Sequence, residues 1–347
     1  MASTTSSKST LSELAALYVE RTAHFTHRWV SHRDRELHDL HVTLIAAGQT
    51  IDLVPHIQDH GVALSARAYE VVLAHQRGDA SPTARADLDA RVAQLKVPAW
   101  QRTYIHGPMA AASWHTGAHD AFERHLALAK KGLRGEDNPF QKKSVYGRAL
   151  ILTGRAEEIP ALVKRVHPED ARIWHLKLLF DLADAQADDI FERVYQQWVD
   201  AIDGTGQRQL EIHLRARGSN ALADRVGIEL TDGPPVFEYA YRSDIRFHPE
   251  PLDTLDPATL DREDQVEWHA RMGHWPEARA LLKGVRKNDR IGLLLRIVDG
   301  ACVHGAIDEL LDVLSKLPCA DMNDTGVYAM QRALRWLAAP HYRMWGE

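Results

Sequence analysis

Apolar residues recur at spacings of three and four along most of the chain, whereas strict alternation is rare. This periodicity predicts helices rather than strands. Clusters of Gly, Pro and Asp interrupt the pattern about every 12 to 18 residues, so the helices are short and must pack in pairs. Three clear stripes are Phe122, Leu126 and Ala129; Ile173, Leu176, Phe180 and Ala183; and Ile307, Leu310, Leu311 and Leu314.

The interruptions are regularly spaced. A glycine follows a helical stretch and precedes a new amphipathic one at Gly48, Gly78, Gly117, Gly154, Gly218, Gly273 and Gly305. Four of the six gaps are 30 to 39 residues long, and the 64-residue gap after Gly154 divides at Ala185, where a similar phrase carries Ala instead of Gly. Such a period is typical of stacked helical hairpins.

One phrase shows this pattern most fully. The phrase GHWPEARALLKG resembles the turn and second helix of a tetratricopeptide repeat. By that resemblance Gly273 is expected at the turn, Trp275 and Ala278 at packing positions, and Leu281 and Leu282 in the inter-helix core. The resemblance implies an all-α fold, an α-solenoid of about seven to nine antiparallel helical hairpins. An irregular helical bundle is the alternative architecture.

A proline-rich segment, residues 232–261, breaks the rhythm and disfavours helix. In it Tyr239 and Tyr241 alternate with other residues, so a short extended piece would place both rings on one side. We therefore predict a disordered N-terminus over 1–10, a repeat array over 11–231, a Pro-rich loop or seam over 232–261, and C-terminal repeats over 262–347.

Composition indicates a folded protein, with 45% hydrophobic and 26% charged residues. The net charge of -6 argues against coating nucleic acid by overall charge. Two cysteines, Cys302 and Cys319, cannot build a disulfide framework or a four-cysteine zinc site. The sequence contains no apolar run long enough for a membrane span and opens on a polar segment without signal character. We expect a cytoplasmic protein that does not bind membranes.

Charge is polarised in the middle of the chain. Residues 101–150 carry a net charge of +4, whereas residues 151–200 carry -4. Neighbouring blocks of opposite sign would orient a protein partner or promote self-association.

Catalytic and metal motifs are sparse. The histidines His24, His27, His38 and His41 form two pairs at helical spacing, and Glu20 or Asp34 could add a carboxylate, which suits zinc or iron. A metal-dependent enzyme is therefore one alternative, although neither HExxH nor a repeated ExxH is present. The sequence also lacks a G-x-S-x-G elbow and a phosphate-binding glycine loop. We assign no catalytic residue, metal ligand or cofactor.

A Trp-His pair precedes three of the turns, at Trp114–His115, Trp174–His175 and Trp268–His269. Adjacent helical residues point in different directions, so Trp in the hairpin core with His facing a groove is self-consistent. Stacked hairpins bind extended partners in such a groove. The candidate binding residues are Arg148, Arg172, His175, His115, His269, Tyr239 and Tyr241.

These features favour a non-enzymatic scaffold or adaptor that binds a protein or peptide. Nucleic-acid binding is the second alternative, and it requires a basic stripe from Lys130 through Arg148.

Overall fold

A computed structural model describes residues 6–25, 28–78, 82–133, 139–163, 172–199, 218–226 and 256–338, together with positions 202, 207, 210–211 and 213–215. Every regular element in these ranges is helical. The all-α prediction is therefore confirmed for the described residues. None of their helices is both long enough and apolar enough to cross a bilayer.

The α-helices are α1 Ser6–Thr22, α2 Arg28–Ala46, α3 His60–Gln76, α4 Pro82–Gln94, α5 Arg102–His115, α6 His119–Gly132, α7 Pro139–Leu152, α8 Ile159–Val163, α9 Arg172–Asp184, α10 Asp188–Trp198, α11 Asn220–Val226, α12 Arg262–Arg271, α13 Trp275–Ala280, α14 Lys287–His304, α15 Ile307–Leu314 and α16 Thr325–Ala338. Short 3-10 helices cover Val54–His56, Ala99–Gln101, Ala156–Glu158 and Pro257–Thr259. The predicted stripe on α6 is buried, as are Ile307, Leu310 and Leu314 of α15.

The chain forms two compact units. The central unit contains Leu37–Ala46 of α2, continues from Asp52 and includes α3 to α11. The terminal unit contains α1, α2 as far as Glu36, Ala47–Ile51 and α12 to α16. This grouping differs from the predicted division into residues 11–231 and 262–347, because α1 packs against α15 and α16.

The predicted turn glycines share one backbone conformation. All seven have a left-handed φ, between 61° and 83°. In the long gap after Gly154 the left-handed residue is Gln186, with φ 54°, so the predicted position at Ala185 is wrong by one residue. Gly284 has the same left-handed conformation, although no turn was predicted there from the sequence. Glycine adopts this region without the Cβ clash that other residues suffer.

The hydrogen bonds at these turns also recur. Among the described residues, six turns have the amide after the left-handed residue bonded to the carbonyl five residues back, at 2.8 to 3.0 Å. This is the helix-ending Schellman arrangement, and it satisfies carbonyls that would otherwise lack partners. The donors are Ala118, Arg155, Ala187, Ser219, His274 and Ala306. Each turn therefore ends one helix just before the next element starts.

We call the helix before each turn a first helix, and successive first helices pack against one another. In the central unit α3 packs on α5, α5 on α7 and α7 on α9. In the terminal unit the first helix α12 packs on the first helix α14, and α14 also packs on α16. A close backbone approach occurs at Gly300, where a Cβ would lie 2.5 Å from the Ala270 carbonyl group. Only glycine allows α12 and α14 to approach so closely.

Polar contacts join positions at a constant offset. Among the described residues, five ion pairs link positions 33 apart in sequence: Arg148–Asp181, Glu192–Arg225, Glu263–Arg296, Arg279–Asp312 and Asp299–Arg332. The first two pairs lie in the central unit and the last three in the terminal unit. The described residues thus have a helical repeat-like organisation.

The terminal unit joins the two ends of the chain. Arg21 of α1 donates to the carbonyl of Leu314, the last residue of α15, at 2.6 Å, and to that of Leu317 at 2.8 Å. The Gln331 amide of α16 donates to the hydroxyl of Tyr18 at 3.1 Å. Helix α1 starts at Ser6, inside the segment predicted to be disordered.

Of the predicted Pro-rich seam, only residues 256–261 are described. Asp256 caps a 3-10 turn, and Asp261 caps α12 by accepting from the Asp264 amide at 2.9 Å. The remaining residues of the seam, including Tyr239 and Tyr241, lie outside the described residues.

Candidate interaction surface

A row of polar side chains links consecutive first helices of the central unit. His38 Nε2 of α2 lies 3.0 Å from the Ser65 hydroxyl of α3, which donates to the Tyr104 carbonyl of α5 at 3.0 Å. Because the Ser65 hydroxyl donates its proton to that carbonyl, its oxygen accepts a hydrogen bond from Nε2 of His38. The row therefore connects three first helices by hydrogen bonds.

Arg148, a predicted binding residue, extends this row to α7 and α9. Its guanidinium lies 6.0 Å from the ring centroid of Tyr69 and forms two hydrogen bonds to Asp181, at 3.0 and 2.8 Å. Burial raises the pKa of Tyr69 to about 12. Arg148 belongs to the predicted basic block and Asp181 to the acidic one, so this bidentate pair neutralises part of the charge difference inside the unit. We call His38, Ser65, Tyr69, Tyr104, Arg148 and Asp181 the first-helix polar row.

A similar charged set links the first helices of the terminal unit. Arg296 of α14 pairs with Glu263 at 3.0 Å and more closely with Glu267, both on α12, and Glu267 also pairs with Arg271. Glu267 is buried, which raises the pKa of its carboxyl although both arginines oppose the shift. Charged residues between first helices thus occur in both units.

Of the Trp-His prediction, the buried position of the tryptophan is found in one pair and not in another. Trp268 is buried while His269 is half-buried, as expected for a core tryptophan. Trp114, however, is 38% exposed, whereas His115 is half-buried. The Trp114 ring lies at the turn, where it is tilted against the Phe122 ring at 5.0 Å and edge-on to the His119 ring at 5.6 Å. The side chains of Arg172, Trp174 and His175 lie outside the description.

The predicted basic stripe is not a continuous exposed surface. Lys130 and Lys131 are exposed on α6, but Lys142 is 1% exposed and its ammonium has no hydrogen-bond partner. Arg148 is paired with Asp181. Two of the residues offered for phosphate contacts are therefore buried or engaged.

The chain was compared with known proteins. Neither a protein-family model nor a curated protein sequence matches it. The site must therefore be interpreted from its own chemistry.

Among the described residues, one group brings three metal-ligand types together. Atoms of His41, Asp52 and Glu70 lie within 4.8 Å of one another. His41 is one of the four histidines considered for the alternative metal site, and its carboxylate neighbours are Asp52 and Glu70 rather than Glu20 and Asp34. All three belong to the central unit.

The hydrogen bonds of this group favour an ion-pair network over a metal centre. The Leu53 amide lies 3.3 Å from His41 Nδ1, so Nδ1 accepts and Nε2 carries the proton that it donates to Glu70 at 2.8 Å. Arg67 pairs with both carboxylates, at 2.7 Å from Asp52. Although burial acts to raise the pKa of Asp52, hydrogen bonds from Arg67 and the Val54 amide lower it. A cation would have to displace Arg67 and move a proton.

A second histidine network joins α4, α5 and α6. The Nδ1 atoms of His106 and His125 lie 2.9 Å apart, and His125 Nε2 lies 2.5 Å from Asp89. Burial, followed by the neighbouring His125, lowers the pKa of His106 to about 4. With both imidazoles neutral, His106 donates to His125, which donates to Asp89. This relay was not found from sequence, because its members are 17 to 36 residues apart and share no motif.

Proposed function

We propose that this chain is a non-catalytic scaffold that binds a protein or peptide partner along its first helices, within a tetratricopeptide-like array. The observation that carries the proposal is the succession of first helices α3, α5, α7 and α9, each packed on the next. Such a succession presents equivalent side chains at regular intervals, which suits an extended partner.

The turn geometry supports the same proposal. One left-handed residue and one Schellman bond recur at the end of first helices, and ion pairs recur at an offset of 33 residues. Repeated packing units with large surfaces commonly serve as binding platforms. The polar row supplies both donors and acceptors to such a platform.

The experiment is co-purification of the tagged full chain with its native partner, identified by mass spectrometry and then tested with variants. Asp39→Ala removes a half-buried carboxylate on α2 that pairs with His38 at 2.9 Å, and His175→Ala removes a predicted contact on α9. Lys130→Ala on α6 is the matched control, because it changes an exposed charge on a second helix. We expect the first two variants to lose the partner at least tenfold while keeping the melting temperature.

Retention of the same partner by Asp39→Ala and His175→Ala at wild-type levels would contradict the proposed surface. Equal loss in Lys130→Ala would place the contact on the second helices instead.

A further inference from the structure

Two histidines from neighbouring hairpins meet where their first helices end. His75 lies in the last turn of α3, and His115 is the last residue of α5. Their ring centroids are 5.1 Å apart and their planes are inclined by 42°. Helices α3 and α5 pack against each other, so this meeting is fixed by the core of the central unit.

We propose that His75 and His115 bind one transition-metal cation of the borderline class represented by Zn²⁺, with water completing the coordination. Two imidazoles on a tetrahedral cation, each with a Zn–N distance of about 2.0 to 2.1 Å, have ring centres about 5 Å apart. The observed separation matches this value. Parallel stacking would instead bring the two planes close to 0°.

The ring of His115 offers one nitrogen as a ligand. Burial, followed by the neighbouring His75, lowers the pKa of this imidazole. The Nε2 atom is buried and has no hydrogen-bond partner. A buried nitrogen without a partner is rare in folded proteins, and a bound cation would satisfy it.

The electrostatics of the helix ends also favour a cation. The carbonyl ends of α3 and α5 carry partial negative charge, which attracts positive charge within the last turn. The neighbouring group that shifts the pKa of His115 by its charge is His75 itself. In contrast to the group around Arg67, no guanidinium has to be displaced. His75 is exposed, which leaves the pair open to an ion from solvent.

The test is a Zn²⁺ titration of the full chain by isothermal calorimetry, combined with Cu²⁺ electron paramagnetic resonance to count coordinated nitrogens. His75→Ala removes an exposed ligand, and circular dichroism confirms that the variant is folded. His119→Ala removes another exposed histidine, on α6, and serves as the control. A third variant, His115→Gln, removes the half-buried ligand.

We expect one Zn²⁺ to bind the wild type, and the affinity to fall at least tenfold in His75→Ala and His115→Gln but not in His119→Ala. The Cu²⁺ spectrum should show two nitrogens in the wild type and fewer in the first two variants. Wild-type affinity in His75→Ala, loss of binding in His119→Ala, or no Zn²⁺ site in the wild type would overturn the proposal. Each result is independent of partner binding.

Discussion

Acidification should destabilise the central unit through His106. In the folded chain the pKa of this imidazole is about 4, against an ordinary value of 6.5. A base whose folded pKa lies below its unfolded pKa binds protons preferentially in the unfolded state once the pH falls. The contribution of His106 is therefore fully present above about pH 6.5 and is lost between about pH 6.5 and 4.

The size of the effect follows from the two pKa values. At pH 5 the unfolded imidazole is almost fully protonated, whereas the folded one is about one-tenth protonated. This difference lowers the free energy of unfolding by about 2 kcal/mol relative to pH 8. His106 is only 6% exposed, so solvent screens the effect little.

The assay is urea unfolding at pH 8, 7, 6 and 5. His106→Asn removes the titration while its amide can still donate towards His125. Because other histidines also titrate, the informative quantity is the difference between wild type and variant. We expect wild type to lose about 2 kcal/mol more than His106→Asn between pH 8 and 5, and exposed His119→Asn to follow wild type. Equal losses in wild type and His106→Asn would refute the reasoning.

Three further changes test the packing. Gln186→Gly should raise the free energy of unfolding by about 1 kcal/mol, because Gln186 has a left-handed φ; unchanged stability in urea would contradict this. Gly300→Ala should lower the free energy of unfolding by about 3 kcal/mol, because the added methyl group would collide with Ala270. Gly292→Ala on the same helix is the control: its methyl group would meet nothing within 4 Å, so the change should be neutral or stabilising. Arg21→Ala should lower the melting temperature, because it removes two hydrogen bonds to carbonyls at the C-terminal end of α15 and so lowers the free energy of unfolding by about 1 to 3 kcal/mol. An unchanged melting temperature would show that these bonds do not stabilise the fold.

The turns were predictable from sequence because their chemistry is local. A left-handed residue after a helix strongly favours glycine, so Gly48 or Gly273 marks its own conformation. Gln186 lacks that signal, and the turn is placed there rather than at Ala185 by its left-handed φ and by the bond from the Ala187 amide to the Leu182 carbonyl. The helical class and the buried stripes of α6 and α15 likewise depend on local periodicity.

The polar partners were not predictable, because they depend on which helices meet. The sequence made His41 a candidate metal ligand. In the structure it lies beside Glu70 and Arg67, which are 29 and 26 residues away along the chain. Lys142 was expected to be a surface charge, because lysine is seldom fully buried. Its burial depends on α7 packing between other helices, which the local sequence does not encode.

The bond between Gln331 and Tyr18 spans 313 residues of chain. During synthesis α1 is made before α15 and α16, and its packing against them forms only when those two helices have emerged. Native contacts of such long range close slowly, and partly made chains expose apolar surface meanwhile. Apolar residues of α1 such as Leu14, which are buried in the folded chain, are therefore open to chaperones until α15 and α16 have been made.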